Sequence, residues 1–97
     1  MKGTEKQIKW AEDIKERAIL AAGCIVRNAE RESEAGLRFY RISVEAAKHI
    51  EQIVIDGFAS MDSAADIINI RDRFTQSNLE KIARDETKAR AEGIYEG

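Results

Sequence analysis

The 97-residue chain contains no proline, a single cysteine (Cys24) and a single histidine (His49). One cysteine cannot form an internal bridge, which excludes a disulfide-stapled scaffold and fits a reducing compartment. Six scattered glycines and no proline exclude collagen-like and low-complexity chains. None of the glycines forms a phosphate-cradling loop. No apolar run approaches the roughly 20 residues that cross a bilayer, and no leader-like segment follows Met1. A cytoplasmic protein without a membrane segment is therefore expected. Sixteen Lys and Arg against 18 Asp and Glu leave a net charge of −2, which does not mark the whole chain as a nucleic-acid binder.

What is present is helical periodicity. From Ile8 the apolar series runs through Ala11, Ile14, Ala18, Ala21 or Ala22, Ile25 and Ala29. Steps of three and four draw one stripe along a helix. Thr4 and Gln7 stand in capping-box spacing, and Glu5 places a negative charge at the dipole's positive end. A first helix is predicted over residues 5–33, about 40 Å long. Gly23, between Ala21-Ala22 and Cys24, makes a slim stretch where another helix can approach.

Leu37, Tyr40, Val44, Ala47, Ile50 and Val54 form a second stripe. It predicts a helix over 37–56 that ends at Asp56-Gly57, since glycine accepts the left-handed conformation. Phe39, Tyr40, Ile42 and Val44 favour strands, but a lone strand would have nothing to pair with. Ser63 with Asp66, and Ser77 with Glu80, repeat the capping-box spacing. They open a third helix over 63–73 and a fourth over 78–92, whose stripe is Leu79, Ile82, Ala83 and Ala89. The tail from Gly93 to Gly97 is expected to fray.

The expected fold is all-α: one domain over residues 1–97, a small bundle built on a long antiparallel helix hairpin with two shorter helices. A compact chain of 10.9 kDa keeps about 5,600 Å² exposed out of roughly 15,800 Å² unfolded. The first helix is too long for the others to cover. A second copy is the expected cover, so a homo-oligomer is expected, a dimer first.

The reactive singletons point away from catalysis. Cys24 lies among Ala and Gly with no base near it in sequence, and reads as a small buried thiol. His49 follows Glu45 by four residues, but Lys48 stands where a Glu-x-x-His metal motif needs its histidine. A solvated or ion-paired histidine is expected. Asp62 and Asp66 sit at a helix start, where capping accounts for them. No metal, cofactor or catalytic residue is expected, and the chain is read as a non-enzyme.

Charge is distributed unevenly. Arg27, Arg31, Arg38 and Arg41 flank Phe39 and Tyr40, which is the basis of a nucleic-acid reading. Glu30, Glu32, Glu34 and Glu45 interleave and blunt it, so it stands as a lesser alternative. Residues 49–70 carry Glu51, Asp56, Asp62 and Asp66 with no Lys or Arg, a net charge of −4. Helix-cap acids at solvated ends are the plainer explanation. The functional one is an acidic surface at Asp56, Asp62 and Asp66 for a basic protein partner. Trp10 is expected first in the core, packed against the second or third helix. Its alternative role is a half-exposed interface anchor. Arg71 and Arg73 are expected to pair with acidic helix ends.

Gly3-Thr4-Glu5-Lys6-Gln7-Ile8-Lys9-Trp10-Ala11-Glu12-Asp13-Ile14 resembles the opening helix of small all-helical proteins carried by phages, prophages and conjugative elements of Gram-positive bacteria. Ala65 to Asp72 is similar to a second segment of that group, with Ile67 and Ile68 where aromatic residues stand there. The resemblance implies a mobile-element origin and a bacterial cytoplasm, and it transfers no catalytic residue. Accessory proteins of that setting act by binding, some as anti-CRISPR-like inhibitors of host defence nucleases. The expected function is a non-catalytic accessory protein that self-associates and binds a protein partner. The alternatives are a nuclease inhibitor using the acidic surface and a nucleic-acid binder.

Overall fold

The computed structural model describes residues 1–37 and 39–93. Among these residues four α-helices run in the order α1 (Glu5–Ala35), α2 (Val44–Ala59), α3 (Ala64–Asn69) and α4 (Gln76–Ala91). A 3-10 turn over Arg71–Phe74 joins the last two. The fold is all-α, with no strand among the described residues, only an isolated bridge between Lys2 and Ser63. No helix of the described residues is long and apolar enough to cross a membrane.

The first helix forms for the reasons its sequence states. Thr4 accepts from the Gln7 backbone N–H at 3.2 Å, and the Gln7 side chain accepts from the Thr4 N–H at 3.0 Å. Both are donors that the first turn would otherwise leave unpaired. At the far end Gly36 adopts φ 69°. Its N–H reaches Ser33 O, and the Leu37 N–H reaches Glu32 O, closing the helix in a Schellman motif. At 1.5 Å per residue its 31 residues extend about 46 Å, the length of the whole molecule, 47 × 26 × 17 Å.

Ala11, Ile14, Ala18, Ala22, Ile25 and Ala29 are buried along one side of α1. The end of α2 returns to the beginning of α1: Lys2 bonds to Asp62 O and Ala64 N. The two long helices are therefore antiparallel, and Gly23 lies opposite Glu51 at mid-length. α3, the 3-10 turn and α4 together line the second flank of α1. Ile25, Val54, Phe58 and Ile67 are the largest fully buried side chains. Phe58 also meets the Phe74 ring, with centroids 4.6 Å apart, within the range of favourable tilted aromatic pairs.

Four expected boundaries are corrected. Helix α2 does not begin at residue 37. Arg41 takes φ 61°, which no helix tolerates. Ser43 then caps the helix by accepting from Ala46 N–H at 3.1 Å. Nor does Gly57 end it, since the helix continues to Ala59 and the Ser60 hydroxyl donates to Gly57 O. The helix expected over 63–73 splits into a short α3 and the 3-10 turn, and Ser63 makes no side-chain cap bond. For α4 the cap is Thr75, which accepts from Asn78 N–H at 3.3 Å, rather than Ser77. Its inward face is Leu79, Ala83 and Glu86. Ile82, expected in the stripe, is half exposed.

The molecule exposes 6,630 Å², about 1,000 Å² more than a compact chain of this mass keeps. Phe58 is where α2 and the 3-10 turn meet. Phe58→Ala should therefore cost about 3–5 kcal/mol, a large share of the roughly 5–15 kcal/mol available to such a domain. Urea denaturation followed by circular dichroism measures it.

Candidate interaction surface

The connection between α1 and α2 carries the most exposed large apolar side chain among the described residues. Phe39 is 83% exposed and Leu37 48%. The residue beside them is tied down. Tyr40 donates its backbone N–H to the Glu32 carboxylate at 2.7 Å and its hydroxyl to Glu80 at 2.5 Å. Arg84 lies over the Tyr40 ring at 5.8 Å and donates to Tyr40 O at 3.3 Å. Thr87 accepts from Ser43 N–H at 3.0 Å, fixing the end of the loop to α4. Tyr40 thus faces inward while Phe39 is held outward.

Two hollows border this loop. One of about 340 Å³ is lined by Asn28, Arg31, Glu32, Phe39 and Tyr40. A larger one of about 560 Å³ lies between the end of α1 and the start of α2, with Arg41 set among Glu32, Glu45 and Thr87. A third, about 310 Å³, lies beside Trp10.

Burial raises the Tyr40 hydroxyl, and the hydrogen bond to the Glu80 carboxylate raises it further, to about 12. Both act against the phenolate.

On the α2–α4 side, the His49 ring Nδ1 meets the Glu86 carboxylate at 2.5 Å, and Arg90 donates to the same carboxylate at 3.1 Å. Glu86 is 9% exposed, and buried carboxylates of this kind require such partners. His49, expected to be solvated or ion-paired, thus meets Glu86 on another helix. Leu79, Ala83 and Glu86 follow each other by four and three, a spacing that carried the signal for an inward Glu86.

The remaining predicted residues are dispersed. Trp10 is not in the core: it is 48% exposed, with Arg71 over its ring at 5.2 Å. The flank of α1 that carries Trp10 borders a hollow lined by the 3-10 turn and the start of α4, which leaves the indole half exposed. Arg71 thus stacks on Trp10 and donates to Ile68 O at 2.7 Å. Cys24 is half buried, its sulfur accepting from Asn28 and Gln76. Asp56, Asp62 and Asp66 are all exposed at the α2–α3 end. Asp56 accepts from Gln52 at 2.8 Å, and Asp62 faces the Met1 amino group at 3.5 Å. Arg27 and Arg31 are exposed on α1, and Arg41 is exposed in the loop. The structure brings Arg31, Phe39 and Tyr40 around one hollow, while Arg41 lines another. Arg38 lies outside the described residues. Among the described residues no three His, Cys, Asp or Glu side chains are grouped to hold a metal ion.

Comparison with family models, curated proteins and solved structures finds no match for this chain.

The Tyr40 environment generates a testable sign. Its folded-state value lies above the ordinary 10, so the protonated hydroxyl favours the folded state. That contribution is present below pH 10 and is lost as pH rises through about 12. In a Tyr95→Phe background, which leaves Tyr40 as the only tyrosine, ultraviolet titration should place phenolate formation near 12. Glu80→Gln should move it back toward 10.

Proposed function

We propose that the protein is a non-catalytic helical accessory protein that self-associates and binds a protein partner. The observation that carries this reading is Phe39, 83% exposed on a loop whose neighbouring residue bonds to both α1 and α4. An aromatic side chain presented from an ordered backbone is a low-entropy anchor for a partner's pocket. Leu37 extends the apolar contact. The resemblance of residues 3–14 supports the mobile-element setting, and the unpaired Cys24 is compatible with a bacterial cytoplasm.

Phe39 packs against nothing that folding depends on. Phe39→Ala should leave the unfolding free energy within about 0.5 kcal/mol of wild type, while abolishing recovery of a specific partner from Gram-positive lysate. Quantitative mass spectrometry of parallel captures measures this. Identical protein sets from the two baits would overturn the reading.

A second reading rests on Arg31, Phe39 and Tyr40 around one hollow, a basic-aromatic grouping suited to stacking on single-stranded nucleic acid. Arg84 already covers Tyr40, and Glu32 lines the same hollow, so it ranks below protein binding. If it held, affinity for an oligonucleotide would fall steeply as salt rises. A flat titration ends it.

A further inference from the structure

We infer that the outward face of α1 is a self-complementary seam on which a second copy of this chain docks antiparallel, with the two-fold axis midway between Leu20 and Gly23. This inference rests on the self-association proposed above and gives it a surface. Opposite the buried stripe, α1 presents Lys9, Asp13, Glu16, Leu20, Gly23, Arg27, Arg31 and Glu34. They recur at three- and four-residue steps, the period of a helix–helix seam. All are exposed except Gly23, which is half buried. Leu20 is 60% exposed.

The signs of the charges carry the argument. Outward from the midpoint toward the N-terminus stand Glu16, Asp13 and Lys9. Toward the C-terminus stand Arg27, Arg31 and Glu34. The order negative, negative, positive on one side meets positive, positive, negative on the other. A two-fold axis between Leu20 and Gly23 therefore sets Glu16 against Arg27 of the second copy, Asp13 against Arg31 and Lys9 against Glu34. Symmetry repeats each pair. A parallel arrangement would instead stack like charges in register. At the centre, Leu20 meets Gly23 of the second copy. A Cβ at Gly23 would lie 3.4 Å from a Glu51 oxygen and 3.8 Å from an Arg27 nitrogen. The surface at Gly23 is thus bordered by the Glu51 carboxylate and the Arg27 guanidinium of the same chain. One like-charged approach remains, Glu12 to Glu30 at the edge of the seam.

Area supports the same occupant. The chain exposes 6,630 Å², about 1,000 Å² beyond a compact molecule of its mass. Specific interfaces bury about 800 Å² per partner. α1 runs the 47 Å length of the molecule, so its outer face is the longest continuous surface available.

Charge exchange tests the seam, read by sedimentation at low ionic strength. Glu16→Arg and Arg27→Glu, taken singly, each set like charges in contact twice per dimer. Each should weaken dimerisation about tenfold or more. The double variant restores the pairing with its signs swapped and should recover most of the loss, which also shows that neither single variant merely misfolds. Glu12→Lys should tighten the dimer by converting the like-charged approach. Dimerisation unchanged by both single reversals would overturn the seam while leaving self-association standing. A wild-type chain that stays monomeric at every concentration would overturn self-association and the seam with it.

Discussion

A helix of 31 residues becomes the spine of a small molecule only when its neighbours come close to its backbone. On α1 the buried stripe is mostly alanine, interrupted by larger aliphatics: Ala11, Ile14, Ala18, Ala22, Ile25, Val26 and Ala29. The small side chains let α2 and the α3–α4 segment approach closely, and the isoleucines fill the space between layers. The rest of the arrangement depends on that stripe. Ala46, Ala47, Ala64 and Ala83 are the fully buried small residues of the other three helices, and Phe58 and Ile67 fill the space between them at the α3 end. Enlarging any of these alanines would push helices apart along the whole spine.

Polar contacts do a different job. They pin the end of the molecule where the α1 stripe runs out. Glu32, Glu80, Arg84 and Thr87 hold Tyr40 and Ser43, so the connection between α1 and α2 is ordered without being buried. Its order places Phe39 in solvent. Glu86 ties α2 to α4 in the same region through His49. Burying that carboxylate would be costly without the histidine and Arg90 beside it. Here conformational specificity comes from pairing, whereas at the α3 end it comes from aromatic and aliphatic packing.

The stripe and cap of α1 were legible because both are local. Thr4 and Gln7 bond three residues apart, and periodicity reports burial wherever one side of a helix meets the core. The start of α2 was not legible. Leu37 and Tyr40 fit the helical period, yet the chain leaves the helix because Tyr40 finds partners on α1 and α4, and Arg41 accepts a positive φ to allow it. Gly57 misled for the opposite reason: a glycine signals a helix end only where the backbone turns left-handed, and Phe58, buried at 2%, keeps the chain helical through it. Trp10 was expected inside because indoles bring large apolar area, but its flank borders an open hollow in which Arg71 stacks on the ring.

The sequence by itself determined an all-α chain, its long first helix, and the order of charges along that helix, because each depends on residues a few positions apart. Only the tertiary structure decided that Phe39 stands outward while Tyr40 turns in, that His49 pairs with Glu86, and that the outer side of α1 stays open. The first two are settled by contacts 8 to 40 residues apart in the chain. Such contacts form only after the helices dock on the spine, and no local spacing encodes which side chain the docking leaves uncovered.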